Sequence, residues 1–138
     1  MKIVDGDNCI LGRLATFVAK QALNGEEVKV YNAEKIVITG NPVSIIDRAK
    51  ERFEIRNIAN PELSPHFSRR PDLYVKRVVR GMLPRKTQRG AAAFRRVRIY
   101  LGVPNELSGK GEKIAEAKNV RVKTVTVGEV CKHLGWNA

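Results

Sequence analysis

Hydrophobic positions along the 138 residues change period several times, and each change marks the edge of a predicted element. Lys2–Val4 is a short apolar run that reads as a strand, followed by the turn-forming Asp5-Gly6-Asp7-Asn8. From Ile10 to Leu23 the spacing becomes helical. Leu11, Leu14, Ala15, Val18 and Ala22 form one stripe, with Asp7 or Asn8 placed to cap its start and Asn24-Gly25 to end it. Val28–Tyr31 and Ile36–Ile38 read as the second and third strands. Asn41 then offers a side-chain cap and Pro42 stands at the first helical position, so a second helix is predicted to run to about Ile55. Its packed side is expected to carry Val43, Ile46, Ala49 or Lys50, and Phe53.

Asn57–Ser68 holds Pro61 and Pro65, shows no periodicity and reads as a loop. Pro71 opens a third helix, with Asp72 in the first turn, where its charge suits the helix dipole. Val75, Val78, Val79 and Met82 make its apolar stripe, and Gly81 and Pro84 are expected to end it. A fourth helix is predicted over Gln88–Arg96, packed through Ala91, Phe94 and Val97, with Arg89 and Arg96 outward. Val97, Ile99 and Leu101 alternate, so the chain leaves that helix as a strand. Pro104–Asn119 reads as an exposed connection with room for one helical turn. Val120–Val127 is a strand signal whose alternation changes phase between Thr124 and Val125, the mark of a bulge. Gly128–Leu134 closes the chain as a short helix, with Val127, Val130, Cys131 and Leu134 on one side. Strand–helix–strand with short connections predicts a βαβ unit, and hence a single α/β domain, residues 1–138, with a partly parallel sheet.

Charge changes the picture. The protein carries a net +12, and its distribution is regional: residues 1–47 sum to −1, residues 48–98 to +11 and residues 99–138 to +2. Within Arg69–Arg98 eleven cations (Arg69, Arg70, Lys76, Arg77, Arg80, Arg85, Lys86, Arg89, Arg95, Arg96, Arg98) face one acid, Asp72. Such a concentration repels itself unless a polyanion relieves it. Nine of the eleven are arginines, whose planar fork suits bidentate phosphate contacts and stacking on bases. Arg48, Arg52 and Arg56 recur every fourth residue and form a second cationic ridge. A membrane-surface helix would place Trp, Phe or Leu opposite its charges, whereas the Ala- and Val-rich faces here suit a protein core. No apolar run approaches the roughly 18 residues of a membrane span, and no signal peptide is read at the N-terminus, so a cytoplasmic protein is expected.

Catalytic chemistry finds little support. Gly6–Arg13 (GDNCILGR) lies between strand and helix, but a phosphate loop needs GxxxxGK[ST], and Leu14 stands where the hydroxyl belongs. Gly12 is read instead as permitting close helix–sheet packing. Asp5 and Asp7 lack a third metal ligand nearby and read as an Asx-turn. His66 and His133 have no evident nucleophile beside them, and GxSxG and HExxH are absent. Cys9 and Cys131 read as buried packing residues rather than a zinc site or a disulfide. Trp136 is expected to pin the C-terminus to the core, and no aromatic pair of the RNP type supports base stacking on a strand.

Five motifs in order resemble the L-thirteen family of large-ribosomal-subunit proteins, in its archaeal and eukaryotic form. They are LGRLATFVAK at Leu11–Lys20, YNAEKIVITGN at Tyr31–Asn41, RRPD at Arg69–Asp72, VRGMLPRKTQRG at Val79–Gly90 and FRRVRIYLGVP at Phe94–Pro104. The chain reads as lacking the N-terminal extension of bacterial members. The resemblance implies a three-layer α/β/α fold with a mostly parallel sheet of about four strands. It also implies a structural role in the large subunit of the cytoplasmic ribosome, bound to 23S-type rRNA beside other ribosomal proteins. With the catalytic motifs missing, no cofactor and no small-molecule substrate are expected. By motif it marks Arg77, Arg80, Arg85, Lys86, Arg89, Arg95 and Arg96 as RNA-facing, and less directly Arg13 in LGRLA.

Overall fold

The alternating apolar residues of the first strands find their partners in a parallel sheet. In the computed structural model, which describes residues 1–107, 111–114, 117 and 120–137, β1 (Lys2–Asp5) pairs with β2 (Val28–Tyr31), and β2 with β4 (Val97–Ile99), all parallel. The strand order is β1-β2-β4. The register sets Val4 beside Val30 and Val28 beside Val97, so these side chains share one face. That face is buried in one cluster with Leu14 and Val18 of α1 (Leu11–Leu23) and Val75 and Val79 of α3 (Pro71–Met82). The opposite face carries Ile3, Lys29 and the exposed Arg98. α4 (Gln88–Arg96) runs directly into β4 and packs on α1, as α3 does.

The α/β class and the parallel sheet agree with expectation; the strands are apportioned differently. Three strands are parallel, and a separate antiparallel ladder joins β3 (Val37–Thr39) to β5 (Thr124–Thr126). α2 (Pro42–Glu54) and α5 (Val127–His133) pack beside that ladder through Ala49, Val125 and Val130, a second and smaller core. The Val120–Val127 strand is therefore short. It starts at Thr124, where the alternation changes phase, and continues in register without a bulge; Val122 is exposed. Most of the Pro104–Asn119 connection lies outside the described residues, which include one turn at Asn105–Leu107.

Caps explain several boundaries. Asn41 Oδ1 accepts from the Val43 N–H at 3.2 Å ahead of Pro42, as the sequence predicts. Gly25, at φ +98°, ends α1: its N–H donates to the Ala22 carbonyl and that of Glu26 to Gln21, the paired bonds of a Schellman stop. The start of α1 differs from expectation. Neither Asp7 nor Asn8 caps it, because the first residue before the helix is Ile10, which has no capping side chain. Asp7 instead donates its N–H to Asp5 Oδ1 at 3.0 Å, the expected Asx-turn. At the far end Thr126 and Glu129 form a reciprocal capping box that starts α5 at Val127.

Four packing positions are corrected. Val43 is exposed, and Ile45 packs with Ile46 in its place. On α3, Met82 is 42% exposed and Leu83, just past the helix, is buried; Gly81 lies inside the helix. On α4 the buried residues are Gly90 and Ala93 rather than Ala91. Gly12 faces open space, so it serves no close packing. Gly6 does: a Cβ there would meet the Tyr31 carbonyl oxygen at 2.8 Å and Ile36 Cγ1 at 2.9 Å.

Gly90 has the tightest surroundings of the α4 start. Any Cβ on it would collide with the Pro84 carbonyl, which is backbone and cannot swing aside. Gly90→Ala should therefore lower stability by about 1–3 kcal/mol, read as a lower urea midpoint at unchanged slope; an unchanged midpoint refutes the contact. Cys131 is wholly buried, and burial, with the Asp72 carboxylate adding to it, pushes its thiol up to about 12 from the ordinary 9.0. The neutral thiol is thus favoured in the folded state. Its contribution to stability is complete below pH 9 and is lost as pH rises toward 12. Urea midpoints should fall more between pH 8 and pH 10.5 for the wild type than for Cys131→Ala; equal falls would contradict this.

Candidate nucleic-acid interface

The phase of α3 decides where its cations go. Val75 and Val79 are each 1% exposed, so Lys76, Arg77 and Arg80 are rotated off the core onto the flank of the helix. After Met82 the buried Leu83 anchors the chain, and Pro84 turns it. The Pro84 carbonyl accepts the Thr87 N–H at 3.0 Å and the Thr87 hydroxyl at 2.8 Å. Thr87 Oγ1 in turn accepts from the Gly90 N–H at 3.2 Å and caps α4. This closed turn presents Arg85, Lys86 and Arg89 to solvent, all exposed.

Two clefts lie on this surface. One, of about 370 Å³, is bounded by α2, residues 66–68, α3 and α4. Arg52, Lys76, Arg77 and Arg80 line it, with Phe67, Leu73 and Phe94 among its apolar walls. The other, of about 510 Å³, is lined by Arg77, Arg80, Gly81, Leu83, Arg85 and Lys86. Arg77 and Arg80 belong to both. Among the described residues, the only ion pair made by the basic segment joins Arg70 to Asp72 at 2.7 Å.

Aromatic rings order the cations in place of carboxylates. The Arg77 guanidinium lies 4.0 Å from the Phe67 ring centroid, and its Nη1 donates to the His66 carbonyl at 3.1 Å. Lys76 stands over Phe94 at 5.2 Å and Arg69 over Phe53 at 5.8 Å. Phe53 and Phe67 pack on each other at 5.7 Å, which ties the 57–70 loop back to α2. Sequence reasoning missed these contacts, because Phe67 sits in a stretch without periodicity. The only available signal was the co-occurrence of Phe53 and Phe67 with arginines.

The remaining candidates are distributed unequally. Arg48 and Arg52 are exposed one turn apart on α2, whereas Arg56 lies past the helix end at Ile55 and leaves the ridge. Arg13 is exposed on α1, one turn before Thr16, whose hydroxyl donates to the Gly12 carbonyl at 2.9 Å and lies 3.7 Å from the Met82 sulfur, so it flanks the end of α3. Arg95 is exposed. Arg96, expected outward, is half-buried and donates from Nη1 to the Ala22 carbonyl at 3.3 Å, in the last turn of α1, where the same carbonyl accepts the Gly25 N–H. Arg98 lies beside Lys29 on the opposite face of the sheet, apart from the clefts.

The other constellations are occupied by structure. Asp5 Oδ1 accepts from the Asp7 N–H and, at 2.9 Å, from Asn32 Nδ2, so it holds the turn. The Gly6 N–H donates to the Tyr31 carbonyl and is not turned toward a ligand. Among the described residues no three His, Cys, Asp or Glu side chains gather as a metal site, and no helix is long and apolar enough to cross a membrane. Cys9 and Cys131 are buried, with the Cys9 thiol donating to the Asp5 carbonyl at 3.1 Å, and Trp136 packs against the main core. Burial pushes the Tyr74 phenol up, against the opposing charge of Arg52.

The sequence signature of ribosomal protein L13 matches residues 1–106, which include the whole cationic surface from Arg69 to Arg98. The chain belongs to the ribosomal protein L13 family. It is 46% identical over 136 residues to the large ribosomal subunit protein uL13 of Methanocaldococcus jannaschii, with 98% of each chain covered. To uL13 of Archaeoglobus fulgidus it is 45% identical over 139 residues, covering 97% of this chain and 87% of that one. To uL13 of Haloarcula marismortui it is 44% identical over 138 residues, covering 98% and 91%. These L13 relatives are archaeal, within the archaeal and eukaryotic form that the motifs resemble, and they extend the likeness through β5 and α5.

Within this L13 chain the Arg77–Phe67 stack is what fastens the loop to α3. Arg77→Lys keeps the charge but loses the planar fork. Amide hydrogen exchange across residues 64–69 should accelerate several-fold, with global stability changed by no more than about 0.5 kcal/mol. Unaltered exchange would show that the stack does not hold the loop.

Proposed function

We propose that this protein is a structural constituent of the large subunit of the cytoplasmic ribosome, where the α3–turn–α4 surface binds rRNA and supports subunit assembly. The observation that carries this reading is the joining of two clefts through Arg77 and Arg80 on a surface that makes a single ion pair among the described residues. Cations left without carboxylate partners and held in place beforehand suit a fixed run of phosphates. Arg85, Lys86, Arg89 and Arg95 extend the surface across the turn and α4, with Arg48, Arg52 and Arg69 on the α2 side and Arg13 beyond Met82. Arg96 is a weaker contact, since it already serves the end of α1, and Arg56, Arg70 and Arg98 are peripheral. The apolar stripes of α3 and α4 face the protein core, which favours RNA over a lipid surface. The role is architectural rather than catalytic, and adjoining ribosomal proteins share the site of assembly.

The test removes two cations that do not hold the core. Arg80→Ala with Arg89→Ala should weaken binding to large-subunit rRNA several-fold in low salt. It should also reduce the slope of log K against log salt by about 1.4–1.8, at roughly 0.7–0.9 per lost phosphate contact. The urea midpoint should stay near that of the wild type. Unchanged affinity at two salt concentrations would sink the assignment.

A further inference from the structure

We infer that the cleft between α2, residues 66–68, α3 and α4 takes one unstacked RNA base, with the adjoining phosphates on Arg77 and Arg80. This rests on the rRNA-binding reading and adds base recognition to a surface otherwise suited to backbone alone. Leu73 is the first observation. It sits on α3, whose other cleft-side apolar residues Tyr74 and Val78 are half-buried, yet it remains 42% exposed at the wall of a concave site. Phosphate oxygens gain nothing from such a wall, whereas a base gains apolar contact and stacking.

The second observation is charge. Arg52, Lys76, Arg77 and Arg80 line the cleft, and no Asp or Glu does. An apolar cavity with an all-cationic rim fits a ligand that is planar and apolar at one end and anionic at the other, which is a nucleotide. An apolar side chain from a partner protein would use the wall and leave four cations unanswered. The third observation is order. Arg77 is fixed by the Phe67 ring and by the His66 carbonyl, so its guanidinium plane is already set as a stacking surface. The volume of about 370 Å³ lies near the lower end of the roughly 300–1,000 Å³ typical of small-ligand sites. The shared arginines then lead the RNA backbone out of this cleft and into the one lined by Arg85 and Lys86.

The full-length protein with Leu73→Lys, bound to a large-subunit rRNA transcript, separates this from phosphate binding alone. An added cation would strengthen a purely electrostatic surface. If the cleft takes a base, Leu73→Lys removes its apolar wall, and affinity should fall about five- to a hundredfold; Leu73→Met should bind within twofold of the wild type. Base-specific chemical probing should show one nucleotide protected in the wild-type complex and reactive in the Leu73→Lys complex. Unchanged or tighter binding by Leu73→Lys with the wild-type footprint overturns the base site, and is also the result expected if a partner protein fills the cleft. Loss of salt-dependent rRNA binding by the wild type would overturn the underlying reading as well.

Discussion

Burial of Val75 and Val79 against α1 and the sheet is the contact on which the cationic surface depends. Each valine contributes about 1.5–3 kcal/mol when removed from water, and together they fix the rotation of α3. The opposing term is repulsion among Lys76, Arg77, Arg80, Arg85, Lys86 and Arg89. Two unit charges 4 Å apart in water repel by about 1 kcal/mol, and at physiological ionic strength the effect fades beyond about 8 Å. In solvent each such repulsion is small beside the burial of the two valines. Phosphates that answer the charges would relieve what repulsion remains.

The 83–87 turn sets how the two helices share that surface. Leu83 is buried, Pro84 fixes the backbone, and the Pro84 carbonyl is used twice by Thr87. Gly90 lets the first turn of α4 sit directly on this carbonyl, where any larger residue would push α4 away. A local contact thus positions Arg85 and Lys86 relative to Arg77 and Arg80. The run from Leu83 to Gly90 is consequently constrained by geometry as well as by charge.

Elements whose causes are local were legible in the sequence. The stripe of Leu11, Leu14, Ala15 and Val18, the Asn41-Pro42 start, the Gly25 stop and the bounds Gln88–Arg96 all follow from periodicity and capping, and all are present. Features decided by long-range pairing were not. β5 pairs antiparallel with β3 from nearly ninety residues away, and nothing within Val120–Val127 shows where the partner strand ends. The same limit explains the misplaced packing of Val43 and Met82, whose helical phase is right but whose neighbours are missing. For the interface, the concentration of cations on α3, the turn and α4 was readable from composition and spacing. Its division was not: Arg96 turned to the end of α1 and Arg98 to the far face of the sheet, because both outcomes depend on how β4 enters the sheet.

The means of ordering the cations also separates binding from mere charge. A carboxylate partner fixes an arginine but cancels its charge and occupies its donors. Here Phe67, Phe94 and Phe53 hold Arg77, Lys76 and Arg69 through their ring faces, an interaction of about 0.5–1 kcal/mol at exposed sites. A ring carries no net charge and accepts no strong hydrogen bond. Each cation is restrained while its charge and most of its N–H groups stay available, so that the entropy of ordering is partly met in advance of any polyanion. The Phe53–Phe67 contact extends this restraint to the 57–70 loop. A loop that looks featureless in sequence thereby becomes a wall of the site, and it does so because it carries the aromatic ring that a guanidinium needs.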